Sequence, residues 1–315
     1  MGSYFMFLVS VCCVSLCASF FTGEGTPPEI KDIVIGRCED FKKGYVNPLV
    51  DTETLKDRNC TELWELFYKT FAYREPCDVI MDDYDEFITA AGHDFRADSA
   101  LFWDGWDIYD TITEYAFRGR RSTVLDTTLP GYMINYLFFC GSTTDPSGMN
   151  MTVCPGEGEC GFGLGSIDAF WASASTYFAE NARGISRIFM NSNRPGGAFH
   201  LDDSFFTEFE LKTITKEAVS FFQITLITML EEDPGDTCSS DSIMELKRIL
   251  DEKEIPYDCD ENPRDVLHML CIDNFKHEDC VGLSTSTGQP ITATVTLRAL
   301  SLALAIWIAL FRPVN

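Results

Sequence analysis

SIDAFWASASTYFAENA (Ser166–Ala182), followed after Arg183-Gly184 by ISRIFM (Ile185–Met190), is where the chain changes period. In the first segment Ser166 can cap a helix, and Phe170, Ala174, Tyr177 and Phe178 fall on one side of it. In the second, β-branched and aromatic residues crowd a short run flanked by Gly and Asn, as in a strand. Upstream the helical style prevails. LWELFYKTF (Leu63–Phe71) follows Thr61 as an expected N-cap, DDYDEFITAA (Asp82–Ala91) begins with acids, and Leu101–Phe117 reads the same way. Pro130-Gly131 is expected to break any long helix. Downstream, FFTEFEL (Phe205–Leu211) and AVSFFQITLITML (Ala218–Leu230) read as strands. Asp241–Asp251 reads as a helix, Ile255–Cys259 as a short strand and Pro263–Cys271 as a short helix. Helices to about residue 182, then alternating strand and helix, imply an α/β (α+β-like) chain in two lobes.

The two ends look like processing signals. Tyr4–Phe21 is an uncharged apolar run in which Cys17 and Ser19 suit positions −3 and −1 of a cleavage site, so residues 1–19 are expected to be a signal peptide. Small polar residues Gly282–Pro290 precede an apolar tail ending at Phe311, interrupted by Arg298. This matches a GPI-attachment signal over 284–315, with the acceptor among Ser284, Thr285, Ser286 and Gly288. A single-pass helix from Ile291 is the rival reading. Of 13 cysteines, Cys12, Cys13 and Cys17 leave with the leader, and the even ten that remain suit an oxidising compartment. Sequons at Asn59 and Asn150 agree with export. The expected location is therefore the extracellular face of the plasma membrane, with the anchor in the outer leaflet.

Charge excludes one class of partner. The chain carries 24 Lys+Arg against 49 Asp+Glu, a net −25. Removing both ends takes away Arg298 and Arg312 and no acid, leaving 22 − 49 = −27. Nucleic acid, held through basic side chains, is not expected. An anionic ligand would need backbone donors and a few arginines working against the global field.

Candidate site residues have two readings each. On a strand over Phe205–Leu211, Phe206, Glu208, Glu210 and Lys212 would share a face, either as a solvated acidic side or with one carboxylate turned into a pocket. Trp103 and Trp106 in FWDGW, and Trp171 in AFWAS, are core residues or the walls of a slot for an aromatic ligand. Asp126 in VLDTTLPGY is a cap or a site acid. Arg118, Arg120 and Arg121 form the densest basic cluster, read first as a salt-bridged surface loop and second as a contact for a diphosphate. The histidines at 93, 200, 268 and 277 are scattered and suggest neither a triad nor a metal site.

Taken in order, ALFW (100–103), LDTTLPGY (125–132) with Cys140-Gly141, FWASAS (170–175), DSFFTEFEL (203–211) and ENPR (261–264) resemble the ADP-ribosyl cyclase family of extracellular NAD-consuming enzymes. The likeness runs from about Cys38 to Cys280. It implies the two-lobed fold of that family, with a mainly helical N-terminal lobe and a C-terminal lobe built on a parallel β-sheet flanked by helices. Residues 20–283 would form one catalytic ectodomain. Its helical lobe would take about 27–96 plus 124–182, and its sheet-containing lobe about 97–123 plus 183–283. It further implies five disulfides, pairing positions 38–60, 78–160, 140–154, 238–259 and 271–280. A further bridge found in mammalian members maps to Ala97 and Arg183, so both halves are absent together.

By the same resemblance Glu210 is the catalytic carboxylate, Trp103 and Trp171 hold the nicotinamide–ribose end, and Ser175 assists at the active site. Phe205 and Phe206 give backbone contacts on the phosphate side. Asp126 and Thr127 stand where members usually carry Glu-Asp, at positions that influence the partition between cyclisation and hydrolysis. Asp104 stands where members commonly have Ser, and its charge would repel a diphosphate unless it turns away or pairs with an arginine. The implied activity is NAD glycohydrolysis, with NAD as substrate, no metal and no added cofactor. An efficient cyclase and a catalytically reduced surface receptor are the alternatives. The resemblance leaves room for a homodimer.

Overall fold

A computed structural model describes residues 25–286 except 157, 158, 162 and 203. The leader and the apolar tail lie outside the described residues. No helix among the described residues is long and apolar enough to cross a membrane. The chain divides into two compact units, one holding residues up to Phe95 and Leu125–Asn181, the other Arg96–Val124 and residues from Ala182 onward.

The first unit is helical. It contains α1 (Ile30–Lys42), α2 (Cys60–Phe71), α3 (Asp85–Ala91), α5 (Leu129–Ile134) and α6 (Gly165–Asn181). Its core is aromatic: Phe67 lies with its ring centroid 4.8 Å from Phe139, 5.2 Å from Phe71 and 5.3 Å from Phe87. Phe170 of α6 meets Tyr84 at 5.6 Å, and the Tyr84 hydroxyl donates to Ser166 O at 2.8 Å. Edge-on rings fill space while each buried phenol keeps a partner. The α2 cap is Asn59 rather than Thr61, its Oδ1 accepting the Thr61 and Glu62 amides. Pro130-Gly131 begins α5 instead of ending a helix, because proline's missing N–H costs nothing in a first turn.

The second unit is built on four parallel strands in the order β1 (Leu101–Asp104), β2 (Gly184–Asn191), β3 (Val219–Ile227) and β4 (Tyr257–Glu261). One face carries Leu101, Phe189 and Ile227 against Ile108, Ile112 and Ala116 of the α4 region (α4, Tyr109–Gly119) and Val266 of α9 (Arg264–Leu270). The other face carries Phe102 and Phe222, covered by Phe206. Helices α8 (Asp241–Glu252) and α10 (Glu278–Ser286) complete the unit. Both strands are continuously buried toward their carboxyl ends, over Ile188–Asn191 in β2 and Ile224–Ile227 in β3.

Two expected elements are corrected. Leu101–Phe117 is not uniformly helical, since its first four residues pair with β2 as an edge strand. Phe205–Leu211 is not a strand. Phe206–Glu210 forms one π-helical turn, closed by the Leu211 amide bonding back five residues to Phe206 O, and runs on into α7 (Leu211–Thr213). Phe206 and Glu210 are four apart and share a face in a helix as they would in a strand, so their spacing alone does not separate the two.

The disulfides are Cys38–Cys60, Cys77–Cys160, Cys140–Cys154, Cys238–Cys259 and Cys271–Cys280. The partner of Cys160 is Cys77; position 78, one residue further along, is Asp78. Each bridge stays within one unit. Where the further family bridge would fall, the Asp98 amide donates to Arg183 O at 2.9 Å, so the backbones beside Ala97 and Arg183 meet without it. Replacing Cys140 and Cys154 together by Ala, which opens a loop with sequence separation 14, should cost about 3 kcal/mol of unfolding free energy, read by urea titration.

Candidate active site

In the second unit the candidate residues cluster at the carboxyl ends of β1 and β2, where parallel sheets place their ligands. Trp103 and Asp104 alternate across β1. Trp103 is half-buried and lies 5.9 Å from the Tyr109 ring, against the α4 cluster. The opposite sheet face presents Phe102, 5.9 Å from Phe206. Trp103 and Phe206 therefore stand on opposite faces of the sheet.

Glu210 closes the π-helical turn. It is 3% exposed, while Glu208, on the outer side of the same turn, is exposed. Phe206 is buried and Phe205 half-buried. A single π-helical turn is rare and is frequent at functional sites, because it turns side chains out of the regular helical register. Of the two acids the sequence left open, the turn buries only Glu210.

Asp104 is 2% exposed and does not face solvent as a bare charge. The Arg194 guanidinium lies 2.7 Å from its Oδ1, Ser204 Oγ donates to Oδ1 at 2.7 Å, and the His200 amide donates to Oδ2 at 3.3 Å. Ser204 Oγ in turn accepts the Thr207 amide at 3.4 Å, and Thr207 Oγ1 donates to His200 O at 2.6 Å. Asp104 thus links β1 to the segment that leads into the Glu210 turn. Gly105 has φ 96°, a conformation that favours glycine, and a Cβ there would lie 2.6 Å from Asp107 Oδ1 and 3.1 Å from Arg194 Nε. Nearby, Asn191 Nδ2 donates to Asp107 Oδ2 at 2.7 Å. The repulsion expected from Asp104 is answered by this ion pair. Arg194, in the turn NRPGG (193–197), carried no sequence signal beyond its position after a strand. Of the basic cluster, Arg118 pairs with Glu114 and Asp273 on the surface.

In the first unit Trp171 is half-buried on α6, with its ring 4.9 Å from Phe170, and Ser175, one turn further along, is buried. The 3-10 turn Leu125–Thr127 packs against α6 and carries Asp126, buried, and Thr127, half-buried. Two side chains that sequence reasoning missed hold this turn. Asn47 Nδ2 donates to Thr127 O at 3.1 Å and to Thr127 Oγ1 at 3.3 Å, and His93 Nε2 accepts the Leu129 amide at 2.9 Å. Neither stands in a motif, and His93 is far in sequence from the other histidines. Among the described residues no group of three or more His, Cys, Asp or Glu is arranged to hold a metal ion.

Residues 27–280 match the family described as ADP-ribosyl cyclase. The ADP-ribosyl cyclase/cyclic ADP-ribose hydrolase of Aplysia californica is 31% identical over 275 residues, 87% of this chain and 94% of that protein. The human ADP-ribosyl cyclase/cyclic ADP-ribose hydrolase 2 is 29% identical over 258 residues, 82% of this chain and 77% of that protein. Among solved structures, an Aplysia cyclase complexed with substrate NGD and product cGDPR superposes with a TM-score of 0.73 at 32% identity, covering 81% of this chain and 97% of that one. Fold, bridges and motif order agree with these likenesses, and the chain belongs to the ADP-ribosyl cyclase family.

Proposed function

We propose that the protein is an NAD glycohydrolase, which cleaves the nicotinamide–ribosyl bond of NAD to give nicotinamide and ADP-ribose. The observation that carries the reading is the buried Glu210 carboxylate at the end of its π-helical turn, beside an exposed Glu208. In the reaction the C–N bond breaks and its electron pair leaves with nicotinamide, which departs neutral and needs no strong general acid. Positive charge develops at the anomeric carbon, and Glu210 stabilises it while binding the ribose diol. Water adds to that carbon and loses its proton to solvent, with Ser175 positioning the attack. Trp103 and Trp171 hold the nicotinamide–ribose end, and the Phe205 and Phe206 backbone receives the phosphates. Arg194 offsets Asp104 at that end of the sheet, which lowers the repulsion a dianionic diphosphate would meet. The reaction as written uses no metal or added cofactor. The enzyme works on the extracellular face of the plasma membrane, GPI-anchored.

Cyclisation is the second reading, supported by the names of the relatives and by the product bound in the Aplysia complex. Asp126 and Thr127, one methylene shorter and one charge poorer than the usual Glu-Asp, change the positions that influence this partition. Incubating the purified ectodomain with NAD and separating nicotinamide, ADP-ribose and cyclic ADP-ribose should give nicotinamide and ADP-ribose in near-equal amounts. A product mixture dominated by the cyclic compound would make the chain a cyclase. No nicotinamide at all would leave a binding protein.

A further inference from the structure

We infer that His93 is a positioning residue for the turn Leu125–Thr127, and that through this turn it sets how the ribosyl intermediate divides between water and competing acceptors. The inference rests on the proposed reaction for its chemistry and on the first unit alone for its geometry.

The turn is held from both sides. Within it, Thr128 Oγ1 donates to Leu125 O at 2.6 Å and accepts the Gly131 amide at 3.3 Å, capping α5. A Cβ on Gly131 would fall 2.1 Å from Leu125 O, so the turn is folded tightly onto the start of the helix. From outside, Asn47 grips Thr127, and its own Oδ1 accepts the Leu49 amide at 3.0 Å. His93 grips Leu129, three residues beyond Asp126, by accepting its amide.

The imidazole has one way to do this. A backbone amide only donates and a carbonyl only accepts. Nε2 therefore carries no proton, and Nδ1, 3.0 Å from Asp94 O, carries it. The ring is buried, with Phe41 5.5 Å away, and its backbone is fastened at both N and O to the Tyr177 hydroxyl on α6. The groups facing it are Asp94 on its own segment, Arg58 just before α2, whose Nη2 donates to Gly92 O at 2.7 Å, and Tyr177. Burial, first, and the Arg58 charge hold the imidazole below its ordinary pKa of 6.5, against the opposing pull of the Asp94 carbonyl and carboxylate. At neutral pH the acceptor is intact. As pH falls through that lowered value, a proton on Nε2 would face the Leu129 amide, donor against donor, and the turn would lose this hold.

This makes the orientation of Asp126 a property of residues that never touch substrate. In the proposed reaction Asp126 influences partition, so a small displacement of its side chain would change which nucleophile is favoured more than it changes whether the cation forms.

The test compares wild type with His93→Leu, His93→Gln and Asn47→Ala by two measurements. Amide hydrogen exchange at Leu129 and its neighbours reads the hold on the turn. The ratio of methyl ADP-ribose to ADP-ribose, formed from NAD in buffer containing methanol, reads partition, alongside the total rate of nicotinamide release. His93→Leu should speed exchange at Leu129 about 10-fold and shift the ratio at least about 3-fold, with nicotinamide release changed by less than about 3-fold. His93→Gln, whose Oε1 can accept the same amide, should restore both. In wild type the protection factor at Leu129, which removes the intrinsic pH dependence of exchange, and the product ratio should both move toward the Leu values as pH falls through the lowered imidazole pKa, while the Gln variant stays flat in both. Should His93→Leu fail to fold, Asn47→Ala loosens the turn from the other side and should move the ratio in the direction that acid moves it in wild type. Unchanged exchange at Leu129 would overturn the positioning role. Faster exchange with an unchanged ratio would overturn the link to partition. Absence of nicotinamide release from wild type would overturn the proposed reaction and the partition claim together, with exchange still deciding the contact.

Discussion

Glu210→Gln should lower nicotinamide release from NAD by about 1,000-fold or more, equivalent to about 4 kcal/mol of transition-state stabilisation. The substitution keeps the shape of a side chain that is 3% exposed and replaces a negative charge by an amide dipole. Opposite a developing oxocarbenium ion, a buried charge is the term with the greatest leverage. Folding should be unaffected, as read by circular dichroism and thermal melting, because Gln occupies the same volume. Glu208→Gln is the matched control: its side chain is exposed on the same turn, and its rate should stay within about twofold of wild type. If Glu210→Gln kept more than a tenth of the rate, the carboxylate would be structural and the chemistry would have to be sought elsewhere.

Arg194→Met should cost about 3–5 kcal/mol of stability in urea titration, the usual result of stranding one member of a buried ion pair. Asp104 is 2% exposed, and the Arg194 side chain keeps 16% of its surface. Without the guanidinium, Asp104 keeps only Ser204 Oγ and the His200 amide, neutral donors that do not offset a full charge in a low-dielectric setting. Asp104→Asn combined with Arg194→Met removes both charges and should recover most of the loss, since an uncharged pair incurs little desolvation penalty. A single-variant cost below about 1 kcal/mol would class the contact with ordinary surface pairs.

Much of the fold could be read from period. Helix α6, helix α8 and strands β2 and β3 are long enough for 3.6- or 2-residue repeats to declare themselves. Strand β1 was hidden because four residues, LFWD, cannot show a period, and the helical residues after it coloured the whole segment. The π-helical turn was misread for a different reason. Alternating large and acidic residues over seven positions fit a strand, and nothing in the run marks a bond reaching back five residues. The expectation that Glu210 is catalytic therefore rests on motif order and not on the local geometry of the run. The Asp104–Arg194 pair illustrates another limit: the two residues are 90 apart in sequence (194 − 104) and meet only once β1 and β2 pair. His93 and Asn47 act by single hydrogen bonds to backbone, a contact that leaves no imprint on composition or spacing.

The discontinuity of the sheet-bearing unit sets a timetable for the nascent chain. Leu101 pairs with Arg187, 86 residues later (187 − 101), after the whole of α5 and α6 has been made. At roughly 5–20 residues per second, an apolar edge awaits its neighbour for roughly 4–17 s during synthesis. The Cys77–Cys160 thiols fall on either side of that waiting strand in the sequence, so their oxidation during synthesis would close a covalent ring that contains it before β2 is made. The bridge that staples the helical unit thereby also fixes when the other unit's first strand is committed to its path. Chaperone capture of that strand during synthesis, measured on chains arrested before and after residue 191, would time the event.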